Sequence, residues 1–164
     1  MIKPHKISLR QQKAVTDNLL TEKVIMRSAK IALRAEKINV PCEVNVLVTD
    51  DTGIKKINRD FRGIDAPTDV LSFPLHELVP GNFQYDKNEV DRQTKRLLLG
   101  DIILSADTIR KHAFEYGNTI ERETAYIVIH SVLHLLGYDH MDEAVDKRQM
   151  RIREKTILEK TGVK

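Results

Sequence analysis

The sequence predicts an α+β domain, a small mixed β-sheet flanked by helices, with a metal site on a central buried helix. Two Val- and Leu-rich stretches, residues 42–49 and 97–105, have the composition and alternation of strands. They lie among segments whose apolar residues recur at helical spacing. The order of these elements does not repeat strand–helix–strand units, which favours helices packed around one sheet. The most apolar helical segment, ending at Leu136, holds two histidines four residues apart.

Residues 12–37 are predicted as one long amphipathic helix. Leu19, Leu20, Val24, Ala29, Ile31 and Ala32 fall near helical spacing and no Gly or Pro interrupts them. Cys42 to Thr49 then reads as a strand. Asp51 stands where an N-cap would, ahead of a short helix through Ile54-Lys55-Lys56-Ile57-Asn58. Residues 61–68 are expected as loop, and Asp69 to Phe73 as a short strand stopped by Pro74. Residues 76–96 are polar and irregular, a surface excursion.

Leu97 to Ser105 is a further strand, expected to be interrupted at Gly100-Asp101. Ser105 or Asp107 can cap a helix running to Gly117. Asn118-Thr119-Ile120-Glu121 has the form of a capping box, and the helix it opens continues to Leu136, where Gly137 stops it. From Ala125 onward this helix is apolar nearly all round, which places it in the middle of the domain. A charged helix over about residues 142–160 closes the chain.

No repeat, low-complexity tract or linker divides the 164 residues, so the chain is read as a single domain over 1–164. With 41% hydrophobic and 31% charged residues it has the balance of a globular protein with a real core. Cys42 is the one cysteine; it can form no internal disulfide and reads as a small buried residue. The N-terminus lacks the apolar core of a signal peptide, and no stretch approaches the roughly 20 apolar residues of a membrane helix. These features lead to the expectation of a cytoplasmic protein with no membrane association. The net charge of +3 is spread through interspersed Lys/Arg and Asp/Glu, and neither requires nor excludes nucleic acid.

His130 and His134 project from one helix face, and His140 follows just past the glycine stop. Three polar rings against a Leu/Ile/Val helix are costly to bury without partners, and one ion serves all three. Three imidazoles with an open fourth position describe a catalytic Zn²⁺ site, one zinc per chain. His5, His76 and His112 have no such company and read as ordinary surface or half-buried residues. The spacing of His130, His134, Gly137 and His140 matches the metzincin peptidase pattern. That pattern needs a glutamate after the first histidine as general base, and Ser131 stands there instead.

The block from His130 to His140, His-Ser-Val-Leu-His-Leu-Leu-Gly-Tyr-Asp-His, resembles the signature of the YbeY endoribonucleases, bacterial rRNA maturation factors. Two upstream blocks, Pro67-Thr68-Asp69-Val70-Leu71-Ser72-Phe73-Pro74 and Leu99-Gly100-Asp101-Ile102-Ile103, are similar to motifs of the same family in the same order. The matching blocks span residues 58–140, and Ser131 replaces the more usual Gly with another small residue. The resemblance implies a small mixed sheet flanked by helices, a zinc ion and metal-dependent cleavage of single-stranded RNA. It further implies work with rRNA on the small ribosomal subunit, in 16S rRNA 3′-end maturation and 70S ribosome quality control.

The family's functional arginine lies a few residues before the Thr-Asp-Val block. The resemblance therefore places it on Arg62, with Arg59 as the competitor. Arg62 is preferred as a loop residue beside Gly63, Arg59 being assigned to the preceding helix. A guanidinium suits phosphodiester hydrolysis because it pairs with the non-bridging oxygens as negative charge builds on them. Asp139 is left as either a general base or an acceptor that orients a ligand. Two other readings stand beside the nuclease: a non-catalytic zinc-containing ribosome-assembly or RNA-binding factor, and a zinc peptidase.

Overall fold

The structure is a computed structural model that describes residues 3–12, 22–139 and 144–164. Four strands form one mixed sheet: β1 (Lys6–Gln11), β2 (Cys42–Thr49), β3 (Val70–Pro74) and β4 (Leu97–Ser105), in the spatial order β1-β2-β4-β3. β1 runs parallel to β2 and β2 to β4, while β3 is antiparallel to β4 on the outer edge. Five helices surround it: α1 (Glu22–Ala35), α2 (Asp51–Arg62), α3 (Ala106–Tyr116), α4 (Ile120–Leu135) and α5 (Ala144–Thr161). The α+β architecture is the expected one.

The main core lies between one sheet face and α1, α4 and α5. Val44, Val46 and Val48 of β2 meet Ala29 and Leu33 of α1 and Val128, Val132 and Leu135 of α4 there. A smaller cluster, Ile54 with Leu71 and Ile103, packs α2 against the opposite face. Truncating a buried Leu such as Leu133 to Ala would cost about 2–5 kcal/mol, a large share of a small domain's stability.

Several boundaries differ from the sequence reading. Of the helix expected over 12–37, the described residues show α1; Gln12 is coil, and 13–21 lie outside the described residues. β1 was not foreseen, because it offers only Ile7 and Leu9 to the core and carries the charges usual on an edge strand. Asp50, not Asp51, caps α2, its carboxylate accepting from the Gly53 N–H at 2.8 Å. α2 continues to Arg62, with Gly63 closing it in the left-handed region. Phe61 and Arg62 are therefore helical, and both candidate arginines sit on the same helix. Thr119 caps α4 by accepting from the Arg122 N–H, so only half of the expected capping box forms.

β4 is continuous where an interruption was expected. Glu43 pairs with Leu98 and Val44 with Gly100, so one extra residue is accommodated as a bulge. The bulge changes the parity of the strand: Leu97 and Leu99 face the main core, and beyond it Ile102 and Leu104 do. Gly100 is required there. Its φ is +145°, and a Cβ would collide with the carbonyl of Phe73 on β3.

Residues 76–96 hold one short 3₁₀ turn, Lys87–Glu89, but they are more than a surface excursion. Leu78 is buried in the main core, and its carbonyl lies so close over Gly137 that no side chain would fit at that glycine. Gly137, at φ +98°, thus both turns the chain after α4 and lets this segment press onto the turn.

Candidate functional site

From Glu123 to Leu136 every residue is buried except Tyr126, His130 and His134, which recur at intervals of four. That periodicity puts the three on one face of α4, and the helix opens to solvent along this stripe alone. His130 and His134 line a groove of about 700 Å³. Its other walls are Arg62, Asp69, Val70, Leu71, Ser72 and Pro74 at the β3 edge, the 76–78 segment and the turn Gly137–Asp139. Antiparallel pairing fixes what β3 offers there. The Asp69 carbonyl and the Leu75 N–H bond β4, so the odd positions point inward and Val70, Ser72 and Pro74 turn their backbone groups outward. Pro74, having no N–H, loses no bond on that edge.

The two rings are fixed from behind. His130 Nδ1 lies 2.6 Å from Glu154 Oε1, and His134 Nδ1 lies 2.8 Å from the Tyr138 carbonyl. Carboxylate and carbonyl oxygens accept, so each Nδ1 carries a proton, and in the neutral tautomer that this selects, the lone pair of Nε2 is directed into the groove. These two Nε2 atoms meet at 3.0 Å. Two lone pairs at that distance repel, and a cation bound by both turns the repulsion into coordination. The donor set fits Zn²⁺, whose histidine ligands commonly hand their second N–H to a carboxylate or carbonyl. Among the described residues no third His, Cys, Asp or Glu joins the pair; His140 lies outside them.

Glu154 was not foreseen. It is 5% exposed, on the same stripe of α5 as Met150, Ile157, Leu158 and Thr161. An acid on the apolar face of an otherwise charged helix was the available signal. The Tyr126 hydroxyl also hydrogen-bonds Glu154; burial above all, then Glu154, Glu123 and Asp69, push its pKa up to about 12, so it stays a donor. On the other side the Tyr138 hydroxyl donates to Glu36 Oε2 at 2.6 Å, and Arg153 clamps Oε1 of the same carboxylate at 2.6 and 2.8 Å. Burial, then Glu36, raises Tyr138 to about 12 as well. The turn that receives the His134 proton is thereby tied to α1 and α5.

Arg62 reaches the groove from the end of α2. One Nη2 proton is donated to the outward Ser72 carbonyl at 2.9 Å, and the guanidinium lies 5.3 Å from the centre of the Phe73 ring. No carboxylate of the described residues comes within 4.0 Å of it. Arg59, by contrast, points to Asp60 and Asp65 at 3.4 and 3.9 Å and does not line the groove. Asp69, Glu77 and Asp139 add acidic groups to the lining.

Ser131 is fully buried, its hydroxyl donated back to the Ile127 carbonyl at 2.8 Å. Nothing at that position can serve as the carboxylate base of a peptidase. The remaining histidines are less ordinary than their sequence context suggested. His76 lines the groove and pins the 76–96 segment, with Nε2 2.8 Å from the Leu98 carbonyl and Nδ1 3.1 Å from Glu89. His112 Nδ1 lies 3.5 Å from Asp69, and His5 Nδ1 accepts the Cys42 N–H at 3.0 Å. Cys42 is buried, which pushes its thiol up to about 12 and leaves it unreactive.

The chain is similar to known proteins over most of its length. The family model described as endoribonuclease YbeY matches residues 6–162. A protein of that name from Clostridium kluyveri is 45% identical over 152 residues, covering 89% of this chain and 91% of the relative. Another, from Clostridium botulinum strain Loch Maree, is 42% identical over 160 residues, covering 93% and 94%. The solution structure of TM1509 from Thermotoga maritima superposes with a TM-score of 0.59 at 32% identity, covering 93% of this chain and 87% of that one.

Proposed function

We propose, from the premise that the chain belongs to the YbeY endoribonuclease family, that it is a zinc-dependent, single-strand-specific endoribonuclease acting in 16S rRNA 3′-end maturation and 70S ribosome quality control. The observation that supports this best is the convergence of the His130 and His134 Nε2 atoms at 3.0 Å in a groove that also receives Arg62. In this reading residues 1–164 act as one domain in the cytoplasm, and its partners are single-stranded RNA, rRNA and the small ribosomal subunit. Among the described residues no helix is long and apolar enough to cross a membrane.

His130, His134 and His140 would hold one Zn²⁺ per chain. The ion would supply either an activated water, its pKa lowered toward about 7, or direct polarisation of a phosphate oxygen. The protein's own part is positioning. Glu154 and the Tyr138 carbonyl hold the rings in the tautomer that can ligate. Arg62, with donors left over after its bond to Ser72, pairs with the non-bridging oxygens as charge builds on them. Asp139, at the groove wall beside the third histidine, either takes the proton of the attacking water or orients a ligand. The groove is recessed between α4 and the β3 edge, where a flexible strand can bend inward and a stiff duplex cannot. The deep major groove of A-form RNA also gives side chains little purchase.

The test is cleavage of one RNA presented unpaired and as perfect duplex, with metal analysis of the protein. Unpaired RNA should be cut and duplex left nearly intact, with activity lost to chelator and restored by Zn²⁺. His134→Ala should remove the zinc and the activity together. Equal rates on both forms, or full zinc in His134→Ala, would overturn the reading. Binding of RNA without cleavage by the zinc-loaded protein would instead support a non-catalytic assembly factor.

A further inference from the structure

We infer that Phe61 is a stacking platform for the base of the nucleotide that flanks the scissile phosphate. The inference rests on the endoribonuclease reading and adds to it a binding subsite for an unpaired base.

Phe61 is 72% exposed and adjoins Arg62, the residue of α2 that lines the groove. Both side chains rest on one ring. The Phe61 and Phe73 centroids are 5.6 Å apart with the planes at 64°, and the Arg62 guanidinium lies 5.3 Å from the same Phe73 centre. The tilted contact holds the Phe61 ring by its edge or over an edge, so its area remains open to solvent while its orientation is set. An aromatic held still and left uncovered is suited to receive another planar ring.

The neighbouring cation says which ring. Arg62 lies within 4.0 Å of no carboxylate of the described residues, so its remaining N–H groups are available to a phosphate oxygen. In a nucleic acid strand the base is joined to its phosphate through a single sugar. A strand whose phosphate rests on Arg62 therefore brings a base to the adjacent residue. An unpaired base can turn out onto an aromatic ring, whereas a paired one is stacked within its helix. Every base has a π face, so the platform selects for single strands and stays indifferent to sequence. Selectivity for unpaired RNA would then arise twice, from the recess and from Phe61.

The experiment uses the full chain loaded with zinc, and variants Phe61→Ala, Phe61→Leu and Phe61→Trp. KM for cleavage and Kd for a fluorescent, uncleavable single-stranded oligoribonucleotide are both measured. Phe61→Ala should raise both by roughly 5- to 150-fold, with kcat, zinc content and thermal midpoint unchanged. Trp should restore binding; Leu, which keeps apolar area and lacks a π face, should not. An oligonucleotide abasic next to the cleaved bond should lose the same factor with the native protein and lose nothing further with Phe61→Ala. Rescue by Leu, or an unchanged KM and Kd in Phe61→Ala, would overturn the inference. If the native protein binds the oligonucleotide and cleaves nothing, the nuclease reading fails while the Kd series still decides the role of Phe61.

Discussion

His130 and His134 are gripped from inside the fold, whereas Arg62 is held at its edge. Behind the histidines stand a buried carboxylate from α5 and a backbone carbonyl whose own residue is tied to Glu36, just past the end of α1, and through it to Arg153 of α5. Behind Arg62 stand one carbonyl of an edge strand and the face of Phe73. In the proposed reading, the groups that hold an ion in fixed geometry are built into the core, where a shift disturbs several helices. A group that must meet a substrate is anchored at one point and keeps freedom in its remaining donors. Damage to the two sides should accordingly read out in different quantities.

The largest separation is expected for Arg62→Ala. Cleavage should fall by about 10²–10³-fold, the usual loss when one donor to a developing oxyanion is removed, with zinc content and thermal midpoint nearly unchanged. Metal analysis and melting curves alongside the kinetics check this. If Arg59→Ala rather than Arg62→Ala is inactive, the assignment of the edge side is wrong. Glu154→Ala should do the reverse, lowering zinc affinity by about 10–100-fold and lowering stability, because His130 loses the acceptor that sets its tautomer. Competition with a calibrated chelator measures the first and a denaturant titration the second. Unaltered zinc affinity in Glu154→Ala would show that the interior side is looser than its geometry suggests.

The smallest effect belongs to a residue outside both sides. Burial first, then Arg34, Arg96 and Lys30, hold the His5 pKa below its ordinary value of 6.5, and its neutral Nδ1 accepts the Cys42 N–H. As pH falls below 6.5 the unfolded chain takes up a proton that the folded chain resists, so stability should decline from there toward the folded pKa and be unaffected above 6.5. Denaturation midpoints across that range, compared with those of His5→Gln, would isolate the contribution. Its independence of zinc would confirm that it reports on the sheet and not on the groove.

Whether the sequence disclosed an element depended on how local its cause was. Thr119, the apolar run of α4 and Gly137 are neighbours in sequence, so the helix and its histidine pair could be read directly. The strand at 97–105 was visible from its Leu and Ile content, but its bulge was not, because Gly100 answers to Phe73 across the sheet. Arg62 was reached through a motif resemblance, and the loop assigned to it was wrong: α2 runs four residues past Asn58, and only Gly63 stops it. Glu154 and the Leu78–Gly137 contact escaped because each joins segments that only the tertiary fold brings together. His140, proposed as a ligand from its spacing and the motif resemblance, lies outside the described residues.

The bulge in β4 also governs how this protein can change length. Leu97 and Leu99 share the core with Ile102 and Leu104 because one extra residue separates the two halves of the strand. Leu99 and Ile102 are an odd number of positions apart, so in an unbroken strand they would face opposite sides. Deleting a single residue between them would remove the bulge, restore unbroken pairing with β2 and keep Leu97, Leu99, Ile102 and Leu104 on one face. The strand can therefore lose its bulged residue without changing which side chains it buries, whereas one further inserted residue would need a second bulge or would turn one half of the strand over.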